Sequence, residues 1–580
     1  MSYVRSLPDH VAVKRSDPIY NAHSYLTKVP VGAIRPFIEA FTEPGETVLD
    51  PFAGSGMTGV AAAIGGRRAI LRDINVLGQH VGVNYLNLVD PDAFRVAARR
   101  CVASARNRLG DAYATRCARC GRKAELSRRT WSVVCECQGC RHAVNFYREL
   151  ERADWSKSRM ACGRCGKRFL LRGSPRIGEH PVLDTVICDC ERTLRDQEPT
   201  PPLNELRTDG LVWPDEAIGP DRQMFQASAL AKNKLTTTAS FFSRRNLAAL
   251  AALRAAIDDE REEALRNKLL FTFTAILARS SKRYQWSQKR PLNAANQHYY
   301  IAPVFYEWNV FDLFGRKVDA VLRADEFLRK EHDAAAFFRS DAVGVQLEVE
   351  YQLGSANALD LPDESIDYVF TDPPFGSNIF YSDMSLFHEA WLGRITDPAH
   401  EAVVDRSGNG TTRRTAERYE QLIAEALREC HRVLKPGGWL SLVFSNSSGA
   451  MWALVQRAVT HAGFAIDSDQ IVVLDKGQRS VKGLASGFEN VVTADLILSM
   501  RKAAETSTIE LAPQGFLDEA IDNALGGKER DTPTHVYLGV VREYLRRGYD
   551  IGAIDMAYIA EHLAEAGFTL DPARGTLILA

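Results

Sequence analysis

Residues 45–75, GETVLDPFAGSGMTGVAAAIGGRRAILRDIN, constrain the fold more than any other stretch. A short apolar run, VLD, enters a glycine-rich turn; an alanine-rich helical segment follows, and a second apolar run ends on Asp73. Strand, tight turn, helix and strand within about thirty residues make a βαβ unit, which sets two parallel strands in one sheet. Gly54 and Gly56 permit a tight turn and close backbone approach by a ligand, just ahead of a helix N-terminus. Asp73 stands where an acid accepts hydrogen bonds from ribose hydroxyls. The expectation is a nucleoside-cofactor crevice. A dinucleotide is the less attractive occupant, because Asp50 at the strand end would repel a pyrophosphate and welcome a sulfonium or amino group.

Strand and helix alternation stops near residue 109 and resumes at about 346, running to TADLILSMRK near 502. One α/β domain is therefore expected in two parts, 1–109 and 346–503, split by a long insertion. Residues 110–200 are rich in cysteine and arginine, and 201–345 turn mainly helical, as in RRNLAALAALRAAIDDEREEALRNKLLFTFTAIL. Residues 504–580 have helical periodicity and no chemical motif, so a small accessory helical domain is expected there. Lys+Arg 72 against Asp+Glu 73 gives a net charge of -1, so any nucleic-acid surface must come from local clustering. The opening segment lacks an apolar signal-like core, and no stretch stays apolar for the roughly 18 residues of a membrane span. The expectation is a cytoplasmic, nucleoid-associated protein with no membrane partner.

The stretch YVFTDPPFGSNIFYSD, residues 368–383, runs from a strand pattern into an acid, two prolines and a ring. Proline lacks an N–H for a sheet ladder and holds its predecessor extended, so Asp372, Pro373, Pro374 and Phe375 must leave the strand as a stiff turn. Such a turn offers a carboxylate, a carbonyl and a flat ring to something planar. Asn378, Tyr381, Ser382 and Asp383 are expected to line the same pocket, with a helix start at Ser382 as the alternative.

Together, VLDPFAGSGMTG and TDPPFG resemble motifs I and IV of S-adenosylmethionine-dependent DNA amino methyltransferases of the adenine-N6 and cytosine-N4 type. The resemblance covers about residues 20–100 and 346–503 and implies a Rossmann-like methyltransferase sheet. It implies cofactor contacts at Asp50, Pro51, Phe52, Gly54, Ser55, Gly56 and Asp73. HSYLTKVPVGAIRPFIEAF resembles motif X, which implies Thr27, Lys28 and Pro30 near the methionine part of the cofactor. GSANALDLPDESIDYVF resembles motif III, with Asn357 standing where an acid is common for the adenine contact. RVLKPGGWLSLVFSN resembles the later helix-turn-strand motif, with Lys435 to Gly438 as a structural turn. Asp372 and the Pro373 carbonyl are then expected to grip the amine of a flipped base, with Phe375 stacked on its ring.

Nine of eleven cysteines fall between Cys117 and Cys190, a distribution that in an intracellular chain favours metal over disulfides. Cys117, Cys120, Cys137 and Cys140 have the spacing of a zinc ribbon; Cys162, Cys165, Cys188 and Cys190 form a second set. The two sets can also exchange partners, and Cys135 can replace one ligand. One or two structural zinc ions are therefore expected. Arg116, Arg119, Arg122, Lys123, Arg128 and Arg129 cluster around the first knuckle as a candidate phosphate surface. Residues 279–300 interleave basic side chains with Tyr284, Trp286, Tyr299 and Tyr300, a candidate target-recognition loop, and the basic 406–415 stretch is a candidate closing segment.

The order of motifs is like that of the alpha group of these enzymes, whereas the DPFAGSG wording is closer to the beta group. The zinc ribbon and DPPFGSNIFYSDMS wording resemble a bacterial and archaeal group of adenine-specific DNA methylases that often accompany restriction or phage-defence genes. This implies double-stranded DNA as substrate and separate restriction or defence subunits as partners. Three alternatives stay open: a cytosine-N4 enzyme, an RNA guanine-N2 methyltransferase, and a catalytically inactive zinc-containing DNA-binding subunit.

Overall fold

The computed structural model of the chain describes all residues except 1–6, 13–16, 172, 228–229, 232–233, 289–291, 294–298, 335–347, 377–378, 405–413, 476–491, 493, 504–507, 527–531, 571–576 and 580. Eight strands make the sheet that carries the site: β1 (His10–Ala12), β2 (Thr47–Asp50), β3 (Arg68–Asp73), β4 (Val349–Leu353), β5 (Ile366–Thr371), β6 (Leu434–Phe444), β7 (Phe464–Asp475) and β8 (Asp495–Lys502). Their order across the sheet is β1-β7-β8-β6-β5-β2-β3-β4. β8 is antiparallel to both its neighbours, and every other adjacent pair is parallel. Val48, Leu49, Tyr368 and Val369 are wholly buried, as central parallel strands covered on both faces require.

The chain leaves β2 towards β3 and β4, and leaves β5 towards β6 on the other side. Between these two neighbours the direction of travel reverses. Loops that diverge from adjacent carboxyl ends open a crevice there, where ligands bind in open α/β sheets. β3 and β4 pair in continuous register, Ala69 with Val349 through Asp73 with Leu353, across the whole insertion. The two halves read from the sequence therefore close into one sheet.

The boundary drawn at 200 and 201 does not separate two bodies. Strand Val304–Trp308, from the stretch expected to be helical, pairs antiparallel with Lys123–Glu136 of the cysteine-rich stretch. Lys123–Glu136 in turn pairs along its length with Arg176–Ile187. VFYEW is only five residues long and buried throughout, so it lacks the alternation that marks a half-buried strand. Helices Arg244–Asp258, Glu263–Ser280 and Val310–Ala334 pack on helix Pro91–Leu109 and tie the insertion to the first half of the sheet.

The last segment is not purely helical, since Phe568–Leu570 and Leu577–Leu579 form a hairpin after helices Phe516–Gly526, Pro533–Arg547 and Met556–Glu565. It also shares its core with the sheet: Val536, Tyr537, Val540 and Val541 are buried in one apolar cluster with Phe444, Trp452, Val473 and Leu496. Among the described residues, no helix is long and apolar enough to cross a membrane.

Candidate functional site

β2 and β5 end side by side, and the two motifs meet there. The Thr371 hydroxyl donates to Asp50 Oδ1 at 3.1 Å, and the same oxygen accepts the Phe52 N–H at 3.1 Å. Asp50 Oδ2 accepts the Thr58 hydroxyl at 2.6 Å. Burial pushes this carboxyl up to about 7. Asp73 does the same for the glycine turn, taking the Gly54 N–H on Oδ2 and the Asn75 N–H on Oδ1, both at 2.8 Å. Burial raises it to about 6. Each carboxylate oxygen retains a second lone pair, so Asp73 can hold the turn and still accept from a diol.

The two glycines have different reasons. Gly54 has φ +48°, and a Cβ there would stand 3.2 Å from the Tyr25 ring on the cavity wall. Gly56 has φ +75°, and a Cβ would come within 2.7 Å of Gly82 Cα, so it serves the packing of two helices.

Thr27, Lys28, Asp50, Pro51, Phe52, Gly54, Ser55, Asp73 and Asn357 line one cavity together with Asp372 and Pro374. Pro30, Gly56, Pro373 and Phe375 are not among the residues that line it. The Lys28 ammonium is held by the chain's own groups. It donates to the carbonyls of Tyr20 at 2.7 Å and His23 at 2.9 Å and to the Tyr85 hydroxyl at 3.0 Å, and burial lowers it to about 7. The Thr27 and Tyr381 hydroxyls share a 2.7 Å hydrogen bond, and Pro30 is the N-cap of helix Val31–Phe41. Asn357 Nδ2 donates to Glu425 at 2.5 Å.

The proline turn is fixed from outside. The Tyr419 hydroxyl donates to the Pro374 carbonyl at 2.7 Å, and Asn446 Nδ2 donates to the Phe375 carbonyl at 2.9 Å. The Asn446 carbonyl in turn accepts Trp452 Nε1 at 3.0 Å and the Tyr537 hydroxyl at 3.1 Å. The half-buried Phe375 ring meets Phe444 edge-on at 5.2 Å. Asp372, half-buried on the cavity wall, adds its charge to the burial that raises the Tyr381 phenol.

Ser382 lines the cavity, but Asp383 does not: it is fully buried, accepts the Met224 N–H at 2.8 Å and faces Arg222, tying helix Tyr381–Leu392 to the insertion. Asn378 and residues 406–413 lie outside the described residues. The sequence reading missed Tyr25, Tyr351 and Glu401. Tyr351 donates to the Gly54 carbonyl at 2.6 Å. Glu401 accepts the Ser382 hydroxyl at 2.6 Å, and burial pushes it up to about 7. Glu401 lies outside every motif, and Tyr25, within HSYLTKVP, and Tyr351, just ahead of GSANALD, carried no separate signal of their roles.

The cysteines gather into two groups whose ligand atoms lie within 4.8 Å of one another, but the partners are exchanged relative to the ribbon spacing. Cys117 and Cys120 join Cys188 and Cys190; Cys137 and Cys140 join Cys162 and Cys165. The reason is the 14-residue strand Lys123–Glu136, which carries the first two knuckles to opposite ends. Its antiparallel partner brings one of the later sets to each end. Sulfurs of Cys117 and Cys190 are 3.8 Å apart, Cys120 and Cys188 3.6 Å, Cys137 and Cys165 3.8 Å, and Cys140 and Cys162 3.8 Å. Four thiolates about 2.3 Å from a tetrahedral zinc ion would be ~3.8 Å apart, so donor set and spacing fit that metal. Cys135 is buried in the apolar core instead and belongs to neither group.

Half of the cations of the expected phosphate surface are paired with carboxylates. Arg129 makes a bidentate pair with buried Asp184 at 2.6 and 2.7 Å, Lys123 pairs with Asp111 at 2.6 Å, and Arg119 pairs with Glu191. In the expected recognition loop Tyr284 and Tyr299 are buried, and Trp286 packs on Tyr147 and Trp155 at 5.3 Å. Residues 289–291 and 294–298 of that loop lie outside the described residues.

Residues 8–76 match the N6_N4_Mtase family model, described as DNA methylase. Over 66 residues, 11% of this chain and 27% of the relative, the protein is 50% identical to YubD of Escherichia coli (strain K12). Over 77 residues, 13% of this chain and 26% of the relative, it is 38% identical to the type II methyltransferase M.Cfr9I of Citrobacter freundii. The chain thus spans about a quarter of the length of these two relatives. A solved SAM-dependent methyltransferase from Methanosarcina mazei aligns at 14% identity and TM-score 0.16, covering 30% of this chain and 77% of that one. The matched family is one of N6/N4 amino methyltransferases, and its segment ends just past the glycine turn and Asp73.

Proposed function

We propose that the protein transfers a methyl group from S-adenosylmethionine to the exocyclic amine of a base flipped out of double-stranded DNA, with adenine N6 preferred over cytosine N4. The observation that carries this reading is the Thr371–Asp50 hydrogen bond, which joins the strand entering the DPPF turn to the strand entering the glycine turn on one cavity wall. Asp73, Gly54 and Asp50 line this cavity and are the residues that would hold a nucleoside cofactor. When bound, S-adenosylmethionine supplies a methyl group on a positively charged sulfur.

An exocyclic aromatic amine is a weak nucleophile because its lone pair is delocalised into the ring. Asp372 and the Pro373 carbonyl each accept one of its N–H bonds and favour a pyramidal nitrogen. Positive charge grows on nitrogen as its bond to carbon forms and the carbon–sulfur bond breaks, so both acceptors strengthen where it counts. One N–H proton then leaves through Asp372. Positioning by the stiff turn supplies much of the remainder, with Phe375 as the ring that meets the base.

The two cysteine groups are proposed as structural zinc sites, since four thiolates leave no open position for water. Adenine is preferred because Asp rather than Ser opens the tetrapeptide. The proposed setting is cytoplasmic, in restriction-modification or phage defence beside a separate nuclease chain.

The test is incubation with radiolabelled S-adenosylmethionine and duplex DNA or RNA, followed by mass spectrometry of the nucleosides. N6-methyldeoxyadenosine is expected. Label on RNA alone, or DNA binding without label, overturns the reading in favour of an RNA enzyme or an inactive subunit.

A further inference from the structure

On strand Val304–Trp308 the side chains of Tyr306 and Trp308 share one face, by the two-residue period of a strand. Three guanidinium groups from three elements converge on that face. Arg128, on the paired strand, lies 5.3 Å over Tyr306 and 5.1 Å over Trp308. Arg279, at the end of helix Glu263–Ser280, lies 5.1 Å over Tyr284 and 6.0 Å over Trp308. Arg316, on helix Val310–Ala334, lies 5.2 Å over Trp308. Their hydrogen bonds go to neutral oxygens: Arg128 to the Thr185 hydroxyl at 3.1 Å, Arg279 to the Tyr284 hydroxyl at 3.2 Å, and Arg316 to the Asp312 carbonyl at 3.2 Å. The Asp312 carboxylate faces Arg316 but faces Arg106 as well.

Like charges held round one indole repel each other. Burial first, then the charges of Arg279 and Arg128, lower Arg316; burial, then Arg279 and Arg323, lower the adjoining Lys317 to about 8. A bound anion relieves that repulsion. Trp308 and Tyr306 are 7% and 5% exposed, so they cannot stack on bases themselves; instead they hold the guanidinium planes. A ring-stacked guanidinium keeps its N–H edge for bidentate bonds to phosphate oxygens. Arg279 and Arg316 are exposed. Ala278, next to Arg279, lines a small side cavity with Tyr25 and Tyr381, both of which also line the main cavity.

We propose that this face carries the phosphodiester backbone of duplex DNA, with Arg128, Arg279 and Arg316 as its phosphate contacts; the proposal rests on the DNA reading above. It shares Arg128 with the surface expected around the first cysteine knuckle, where Arg119, Lys123 and Arg129 are paired with carboxylates.

The test is binding of a short fluorescein-labelled duplex, followed by anisotropy over a range of salt concentrations. Neutralising all three (Arg128→Gln, Arg279→Gln, Arg316→Gln) is expected to weaken binding by roughly tenfold per side chain near 0.1 M salt and to reduce the salt slope by about 2.7. Thermal melting and titration with S-adenosylmethionine establish that the variant is folded, and the exposed pair Arg279→Gln, Arg316→Gln gives a milder version of the same loss. Unchanged affinity and slope overturn the surface, whether or not the protein methylates DNA. A loss confined to single-stranded RNA overturns the partner. Weakened duplex binding in a protein that labels no DNA leaves the surface standing and removes the methyltransferase reading.

Discussion

The crevice between β2 and β5 and the cysteine-tipped ribbon of the insertion hold their key side chains by opposite means. In the crevice, Asp50 and Asp73 each collect hydrogen bonds from turns and neighbouring strands, so the walls are formed by the chain's own groups. In the ribbon, each end gathers four thiols from two distant segments, and thiols are weak hydrogen-bonding partners. One region is organised by its own hydrogen bonds; the other gathers four thiols at each end of a strand pair.

Metal removal separates them most sharply. A chelator is expected to cost on the order of 10 kcal/mol at each cysteine group. Hydrogen exchange should then lose protection in Lys123–Glu136 and Arg176–Ile187 while β2 and β5 keep theirs. The exchanged pairing has its own readout: Cys117→Ser with Cys188→Ser should spare one zinc equivalent by elemental analysis, whereas Cys117→Ser with Cys137→Ser should lose both. One equivalent retained in the second variant would contradict the pairing.

Next in size is Asp372→Ala. Loss of an acceptor aimed at developing charge is expected to lower kcat by about 10³-fold, or ~4 kcal/mol, with cofactor affinity unchanged by calorimetry. Lost cofactor affinity would mean that Asp372 builds the crevice and does not act on the amine.

Asp50 gives a pH signature. A carboxyl raised to about 7 by burial takes up a proton on folding, so its stabilisation is complete below its ordinary value of 3.8 and is lost as pH rises towards 7. Asp73 and Glu401 act in the same sense. The ligand-free protein should therefore lose urea resistance between pH 5 and pH 7, by up to ~1.4 kcal/mol per pH unit for each such group. Asp50→Asn should flatten that slope; an unaltered slope would show that Asp50 does not contribute to it.

Tyr537→Phe is the mildest. It removes one hydrogen bond behind the DPPF turn, about 1 kcal/mol, and should lower kcat several-fold with KM for DNA unchanged. A matching rise in KM would place the effect in DNA binding.

The crevice was legible because its chemistry is local in sequence: VLDPFAGSG and TDPPFG each lie on a single strand-to-turn junction. The supports were not, because Tyr419, Asn446 and Tyr537 reach the turn from separate elements, and a lone tyrosine in a helix has no periodic or motif signal. The choice between the two cysteine pairings stayed open in the sequence for a related reason. Spacing measures distance along the chain, whereas a long strand carries neighbouring knuckles apart. The hydrogen bonds of Lys28 were not legible either: its position lines the cavity while its ammonium anchors the preceding segment.

The Tyr537–Asn446–Phe375 chain of contacts also sets an order of events during synthesis. The DPPF turn leaves the ribosome long before the helix that braces it, so a nascent chain can complete its cofactor crevice while the turn still lacks its last support. On the proposed function, full competence then arrives with the final helices, and a product cut short ahead of residue 533 keeps the Tyr419 and Asn446 bonds to the turn but lacks the Tyr537 hydroxyl on the Asn446 carbonyl.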